Sequence, residues 1–539
     1  MLRKFFFRPI NNVTLAAFLV AFFSFVSRFL GIFRDRILAS QFGAGDVLDV
    51  YYAAFKIPDI VYNLVVLGSI SAGFIPIFSK LLNDTKDNKF FSNKEAWNFL
   101  NQVIKIFSYL LIFVSSILFI SAPCLIPFIV PGFSLEKQNL TVVLARVMFV
   151  SPFFLGLSSI LSSVLQTFNY FLVYSLAPVF YNLGIILGAI FFVDIFGVKG
   201  LAFGVVLGAL LHLSIQLPFV FKLGFRIKIS KSILQNKNIK EFLLLAPPRF
   251  FSLLISQLNF LVITIIASSL SVGSLAVFNF AYNLQFFPVG IFGISFAIAA
   301  FPRFSNISFN KRKLAKNFSQ ITRRILFFII PSSVIFISLR AQIVRIILGS
   351  GKFDWEDTTL TMNALLFFSF SIFAQSLIPL LSRAFYALHN SLVPFVASLI
   401  SVLLNIFLAF LISDYLFRLG LPAVLGLPMA FSVSVILEFF ILWTILSLKI
   451  NGLREKEIFL SLSKFLFSGL ISAILIQIIK ETLVLFVSLD TFLGVFLQLT
   501  FAGAFGILSY FLICAVLKSE ELFDILDIFL SKFKKNKNN

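Results

Sequence analysis

The stretch SRFLGIFRDRILASQFGAGDVLDVYYAAFKIP, from Ser27 to Pro58, places charged side chains inside and beside long apolar runs. An ionisable group at bilayer depth costs several kcal/mol, so it normally faces a cavity or a partner. Arg28 and Asp35 lie seven residues apart, which is close to two helical turns, so they share one helix face. The stretch therefore predicts a membrane-spanning helix whose charged face has a functional role.

The composition extends this prediction to the whole chain. Of its 539 residues, 59% are hydrophobic and 12% are charged, and the mean hydropathy is +1.02, whereas soluble domains carry roughly a quarter charged residues. The net charge of +21 lies in loops between apolar runs, which favours membrane topology over nucleic-acid binding. The sequence shows no metal-ligand spacing, nucleophile–base pattern or phosphate loop. We therefore expect an all-α integral membrane transporter without metal or cofactor, driven by a gradient or the membrane potential.

Apolar runs of about 18 to 28 residues, bounded by polar or Gly/Pro residues, predict fourteen transmembrane helices. The predicted spans are residues 12–33, 48–79, 99–130, 140–166, 171–193, 199–222, 242–269, 274–301, 325–348, 360–387, 393–416, 422–448, 460–480 and 490–516. Pro58 and Pro76 interrupt the second span. Because freed backbone groups in lipid need protein or water partners, we expect this span to line a cavity.

An internal repeat relates two halves of the chain. ASQFGAGDVLDVYYAAF at 39–55 and ASSLSVGSLAVFNFAYN at 267–283 share Ala, Ser, Gly and Ala at a constant offset, and PIFS at 76–79 recurs as PRFS at 302–305. An even number of spans in each half gives a parallel repeat, and such transporters bind substrate between the halves. The predicted organisation is an N-lobe (1–224), a basic linker (225–241), a C-lobe (242–448), two further helices (449–517) and a basic tail (518–539).

Charge in the loops predicts the orientation. Alternate loops such as SLSVGS contain few basic residues, whereas the others are rich in Lys and Arg, namely 80–97, 222–240, 303–324, 449–459 and the tail. Basic loops are retained on the cytoplasmic side. Both termini are therefore predicted to be cytoplasmic.

The candidate binding residues lie in the first two spans. They are Arg28, Arg34, Asp35, Asp49 and Lys56. These residues would bring positive charge into the space between the halves, with the acids holding the arginines in place. A guanidinium group donates to phosphate oxygens in a bidentate manner, so a pyrophosphate is the ligand that such arginines suit.

Other charged residues are weaker candidates. Asp59 binds a cation or pairs with Lys56 three residues earlier, and pairing is favoured. Arg249 follows two prolines and either reaches the membrane surface or enters the cavity. A proton or a cation would neutralise Glu438, deep in the twelfth span. His212 is isolated in the sequence and is interpreted as a packing residue.

The Ser27–Pro58 stretch resembles the opening signature of the MurJ/MviN lipid II flippase family of the MOP exporter superfamily. The similarity continues at 144–171, 282–305 and 382–394, and so covers essentially the whole chain. It implies two pseudo-symmetric six-helix lobes plus two C-terminal helices that bound a lipid groove. It also implies transport of lipid II, an undecaprenyl-pyrophosphate-linked peptidoglycan precursor, to the outer leaflet of the bacterial inner membrane by alternating access. Implied partners are lipid II, membrane lipids and cell-wall synthesis proteins.

The resemblance also assigns roles to particular residues. The family's cavity arginines of helix one match Arg28 and Arg34, and its acids of helices one and two match Asp35 and Asp49. The family's helix-eight arginine is replaced by Asn283, whose amide group is still a hydrogen-bond donor. This chain is therefore expected to place fewer positive charges around the substrate than the resemblance implies.

Further departures leave two alternatives open. Tyr62, Asn63 and Leu67 stand where family members often carry two arginines and a glutamate, and 245–267 and 395–412 lack the carboxylates of the sodium site found in some relatives. One alternative is a cation-coupled multidrug or oligosaccharide-lipid exporter, which would need an acidic cavity. The other is a flippase-like scaffold that recruits partners without transporting.

The predicted orientation can be tested by labelling single cysteines in a variant without Cys124 and Cys514. Cysteines at Lys231 and Lys313, in basic loops, should resist an impermeant thiol reagent in intact cells, whereas one at Gly351 should react. Permeabilised cells are the control for accessibility. Equal labelling at the three positions in intact cells would contradict the orientation.

Overall fold

The computed structural model describes residues 13–83, 94–227, 237–244, 247–524 and 526–527, and this part of the chain is helical and contains no β-strand. Lys231 lies outside the described residues. The first helices are α1 (Val13–Phe42), α2 (Asp46–Val61), α3 (Gly68–Asn83), α4 (Lys94–Ile129), α5 (Leu135–Met148), α6 (Ser151–Thr167), α7 (Phe171–Leu187), α8 (Val193–Phe196), α9 (Lys199–Ser214), α10 (Leu217–Lys222), α11 (Lys237–Leu244) and α12 (Pro247–Ser268).

The remaining helices follow without a long gap. They are α13 (Ser274–Pro288), α14 (Ser295–Ile307), α15 (Lys311–Ser338), α16 (Arg340–Ile347), α17 (Trp355–Ser369), α18 (Ile372–Ala387), α19 (Leu392–Arg418), α20 (Gly426–Ile450), α21 (Glu455–Val484) and α22 (Phe492–Val516). Short π-helical segments at Tyr62–Leu67, Gly188–Phe192 and Val289–Ile294 and a 3-10 turn at Ala423–Leu425 connect neighbouring helices.

The chain forms two compact units, residues 1–276 and 277–539. Each unit buries its own cluster of aromatic and aliphatic side chains, around Phe78 in the first and Phe327 in the second. Burial of such side chains away from water and lipid headgroups fixes the helices of each unit against one another. The lobe boundaries predicted from the sequence, at the basic linker 225–241, stay a prediction.

The all-helical membrane fold is confirmed, but the number of spans is not. Ten helices of the described residues are long and apolar enough to cross a membrane, and an eleventh span arises if the bent pair α17 and α18 is counted as one. The three predicted spans outside this number correspond to α1, to the interrupted segment from α2 to α3, and to α12. Fourteen spans therefore stay a prediction.

Two helices have bounds that differ from the predicted spans. α1 continues to Phe42, well past residue 33, because no Gly or Pro occurs between residue 33 and Gly43, whose φ of 64° ends the helix. Arg34 to Arg36 therefore lie inside the helix and do not cap its end. The span predicted at 325–348 is wrong at both ends, because α15 begins at Lys311, where Asn310 Oδ1 accepts the N–H of Lys313 at 3.0 Å, and ends at Ser338.

The second span is interrupted, as predicted, and the interruption is repeated in the chain. Pro58 lies near the end of α2, and the backbone becomes π-helical from Tyr62 to Leu67. The 228 residues that separate position 39 from position 267 also separate Asp46, where α2 begins, from Ser274, where α13 begins. A π-helical segment again follows, at Val289–Ile294. The same sequence of elements in both halves supports the internal repeat.

Glycines bring α7 and the start of the π-helical segment that follows it into backbone contact with α9. Gly184 and Gly188 are spaced four residues apart, as are Gly200, Gly204 and Gly208 on the facing helix. A Cβ added to Gly188 would lie 2.3 Å from the Cα of Gly204, and one added to Gly184 would lie 2.2 Å from the Cα of Gly208. Small residues at this spacing let membrane helices pack closely through van der Waals contact.

This contact predicts a loss of stability when one methyl group is added. Gly188→Ala should lower the free energy of unfolding by about 1–3 kcal/mol, because backbone atoms of α9 must shift. Gly503→Ala is the matched control, since a Cβ there meets only Leu339 Cδ1 at 3.7 Å. Thermal unfolding of the purified variants in detergent measures the difference. Equal midpoints for the two variants would contradict the close contact.

Candidate functional site

Arg34 is held on α1 by a carboxylate and an amide. Its Nε and Nη2 donate to Asp35 Oδ1 at 3.0 and 2.8 Å, and its Nη1 donates to Asn182 Oδ1 at 3.3 Å. Asp35 exposes only 4% of its surface, so the ion pair is shielded from solvent. Charge-assisted bonds from two guanidinium nitrogens fix the orientation of the group. Asp35 thus holds an arginine in place, as the sequence predicted.

Asn182 connects α7 to α1 and was missed by the sequence analysis. Its Nδ2 donates to the carbonyl oxygen of Ser27 at 3.2 Å and lies 3.3 Å from Ser27 Oγ, and its Oδ1 accepts from Arg34. The available signal was a lone amide in the middle of an apolar span, since a buried polar group in lipid is normally hydrogen-bonded. Asn182 therefore positions the arginine from a second helix.

Arg28 lies on the same uninterrupted helix and is half-buried. The sequence placed it on one face with Asp35, and continuous helical structure through both residues retains that spacing. The ion pair of Asp35 is formed with Arg34 rather than with Arg28. α1 therefore carries three arginines, Arg28, Arg34 and Arg36, of which Arg34 is fixed by a carboxylate.

Asp49 binds backbone rather than an arginine. Its Oδ2 accepts the N–H of Gly273 at 2.7 Å, and its Oδ1 accepts the N–H of Ala276 at 3.0 Å. Ala276 is in the first turn of α13, where backbone N–H groups have no intrahelical partner and a carboxylate is favourable. Gly273 has a φ of 84°, and a Cβ there would lie 1.8 Å from the oxygen of Ala44. The prediction that Asp49 holds an arginine is therefore wrong in this structure.

Lys56 and Asp59 are not in ion-pair contact. Lys56 Nζ lies 4.7 Å from the centre of the Phe260 ring, a cation–π contact with α12. The carbonyl oxygen of Asp59 accepts from Asn63 Nδ2 at 2.9 Å, and Tyr62 Oη lies 3.1 Å from Ser159 Oγ. The ion pair predicted from their spacing is therefore wrong. Both charges lie where α2 gives way to the π-helical segment.

His212 is part of a buried polar network between α6 and α9. Its Nδ1 lies 2.6 Å from Ser158 Oγ, which also donates to the His212 carbonyl oxygen at 2.9 Å. Gln216 Nε2 donates to Ser158 Oγ at 2.6 Å, and Ser162 Oγ donates to Gln216 Oε1 at 2.9 Å. The residue packs as predicted, but in a hydrogen-bonded rather than an isolated setting.

The three other candidates are Arg249, Asn283 and Glu438. The backbone of α12 includes Arg249, but its side chain is outside the described part. Asn283 is half-buried on α13 within the second unit, and its binding role stays a prediction. Glu438 Oε1 accepts from Ser398 Oγ at 2.5 Å, so its described partner is a hydroxyl. The described residues contain no group of three or more His, Cys, Asp or Glu side chains able to hold a metal ion.

Comparisons with known proteins give the family. The family model described as lipid II flippase MurJ matches residues 38–497. A probable lipid II flippase MurJ of Buchnera aphidicola subsp. Acyrthosiphon pisum is 30% identical over 392 residues, which are 72% of this chain and 75% of that protein. A probable lipid II flippase MurJ of Thermotoga maritima is 29% identical over 506 residues, or 93% of this chain and 96% of that protein.

Solved structures agree with this relationship. A lipid II flippase MurJ in an inward closed conformation has a TM-score of 0.75 and 25% identity, covering 93% of this chain and 98% of the solved chain. An inward-facing multidrug resistance MATE family transporter of the MOP superfamily has a TM-score of 0.63 at 15% identity, covering 79% of this chain and 96% of that chain, and so shares the fold alone. Sequence and fold agree over most of the chain, which therefore belongs to the lipid II flippase MurJ family.

Proposed function

We propose that this protein moves lipid II from the cytoplasmic to the outer leaflet of the bacterial inner membrane by alternating access. It acts as a carrier of a lipid-linked headgroup and not as an enzyme, with both termini in the cytoplasm. The family model over residues 38–497 supports the substrate. Cell-wall synthesis proteins are proposed as further partners, since they make and consume this substrate.

The arginines of α1 are proposed to bind the pyrophosphate of the substrate. The observation that carries this assignment is the fixed guanidinium of Arg34, held by Asp35 at 2.8 Å and by Asn182 at 3.3 Å in a predominantly apolar helix. A group that is already oriented loses little conformational entropy when a ligand binds. Arg28 on the same helix supplies a second donor for phosphate oxygens.

The charge of the substrate indicates how transport is driven. A pyrophosphate headgroup is an anion, and moving each elementary charge across the membrane changes the free energy by about 2.3 kcal/mol per 100 mV. The cytoplasmic side is electrically negative, so the potential favours movement of an anion outward. Arginines that neutralise the headgroup on binding reduce this driving force, whereas Asp35 beside Arg34 leaves part of the anionic charge uncompensated.

Removal of Arg28 tests the proposed binding role. In cells depleted of their own flippase, Arg28→Ala should reduce lipid II transport roughly 10-fold or more, since a charge-assisted hydrogen bond contributes about 1.5–3 kcal/mol. Arg28→Lys should retain partial transport, because it keeps the charge and loses the two-pronged geometry. Access of an externally added lipid II-specific toxin to its target measures transport.

Arg418→Ala is the matched control, because that arginine is 74% exposed and pairs only with Asp414 at the end of α19. Immunoblots of membranes check that each variant is inserted. Full transport by Arg28→Ala at normal membrane levels would overturn its role. Growth without any access of the toxin to lipid II, for the unmodified chain, would instead favour the scaffold alternative and contradict transport.

A further inference from the structure

A polar cavity of about 370 Å³ lies in the second unit. Its walls come from α15, from the start of α21 and from the segment that follows α22. These segments coincide with the basic loops 303–324 and 449–459 and with the tail, which were predicted to be cytoplasmic. The charge pattern of the loops therefore predicts that the cavity faces the cytoplasmic membrane surface.

One wall of the cavity is built by a buried ion pair. Arg323 Nη1 donates to Glu521 Oε1 and Glu520 Oε2, both at 2.9 Å. Ser461 Oγ and Ser519 Oγ each donate to Glu521 at 2.8 Å. The side chain of Glu521 is 5% exposed and that of Arg323 is 12% exposed. Glu521 accepts three hydrogen bonds that fix its position in this wall, whereas Arg323 Nε is buried without a partner among the described residues.

The positive and negative charges that line the cavity do not cancel. Its five cations are Lys316, Arg323, Arg454, Lys464 and Lys518. Its three acids are Glu457, Glu520 and Glu521, which leaves two positive charges in excess. Arg454 pairs with Glu457 at 2.8 Å, and Lys464 donates to a backbone carbonyl at 3.2 Å. Among the described residues, Lys316 and Lys518 form no ion pair.

Two of these cations have an uncommon backbone conformation. Arg454 has a φ of 59° and Lys518 a φ of 51°, in the left-handed region that residues other than glycine seldom adopt. Both residues line the same cavity from different parts of the chain. Strained residues are retained where the surrounding structure fixes them, and they cluster at binding sites.

We propose that this cavity binds a phosphate group carrying about two negative charges, as a second anion site separate from the α1 arginines. Two excess positive charges match such a dianion, and fixed walls with Lys and Arg donors suit its oxygens. The phosphate belongs either to a lipid headgroup or to a soluble phosphate compound. Basic pockets between transmembrane helices on the cytoplasmic side bind anionic headgroups, and Leu460, 60% exposed, lines the cavity beside Phe459, 71% exposed.

Binding to the purified full-length protein tests the proposal with two probes. The soluble probe is inorganic phosphate added to protein in detergent, and the lipid probe is phosphatidic acid in phosphatidylcholine nanodiscs, with pure phosphatidylcholine as the blank. The variant Lys316→Gln/Lys518→Gln removes two charges that hold no ion pair in the described structure. It should weaken binding about 10-fold, the effect of two partly exposed charge contacts.

The matched control is Lys311→Gln/Lys313→Gln, which removes two exposed charges from the same helix outside the cavity. Glu520→Gln should act in the opposite direction and tighten binding several-fold, because it removes an acid whose side chain is 78% exposed. Tight binding of the lipid probe alone supports a headgroup site, and binding of inorganic phosphate alone supports a soluble ligand. Binding of both supports recognition of the phosphate itself.

Two results would overturn the proposal. One is that neither probe binds the unmodified protein. The other is that the cavity variant and the control weaken binding equally, which would show general surface attraction. Because the readout is binding, these results are independent of lipid II transport, which the Arg28 variants measure.

Discussion

Lipid offers no hydrogen bonds to the backbone, and this constraint shapes every element of the structure. Each spanning segment must satisfy its own N–H and C=O groups, which makes the described chain helical throughout. The described breaks are π-helical segments that keep the backbone helical. The π-helical segment Tyr62–Leu67 begins four residues after Pro58, and the segment Val289–Ile294 directly follows Pro288. Such a segment re-pairs the groups that proline leaves without partners.

The same constraint explains why polar residues of the first unit occur in groups. Arg34 is paired with Asp35 and Asn182, Asp49 with two backbone N–H groups, and His212 with a serine and a glutamine. Each group satisfies the donors and acceptors that burial removes from water. A polar residue in an apolar helix is thus informative through its partners. The α1 group differs from the other two because it contains a guanidinium group, which is proposed to bind an anionic headgroup.

The helical membrane fold, the repeat and the candidate arginines could be predicted from the sequence, because apolar length and periodicity are local properties. The partners could not. Nothing in the spacing indicated that Asp49 accepts backbone N–H groups at Gly273 and Ala276, more than two hundred residues away. The pairing of Lys56 with Asp59 was favoured by spacing alone, yet Phe260 from another helix is the contact formed. The buried pair of Arg323 and Glu521 likewise requires segments 198 residues apart, so only the three-dimensional packing reveals it.

The glycine contacts between α7 and α9 have a consequence for motion. Side chains between two helices act as a compressible layer, because their rotamers can change when the helices slide. Where Gly184 meets Gly208 and Gly188 meets Gly204, backbone faces backbone and that layer is missing. The two helices are therefore expected to move together as one rigid body. Any bending of the first unit during a transport cycle is then expected at other positions. The π-helical segment between α2 and α3 is a candidate hinge.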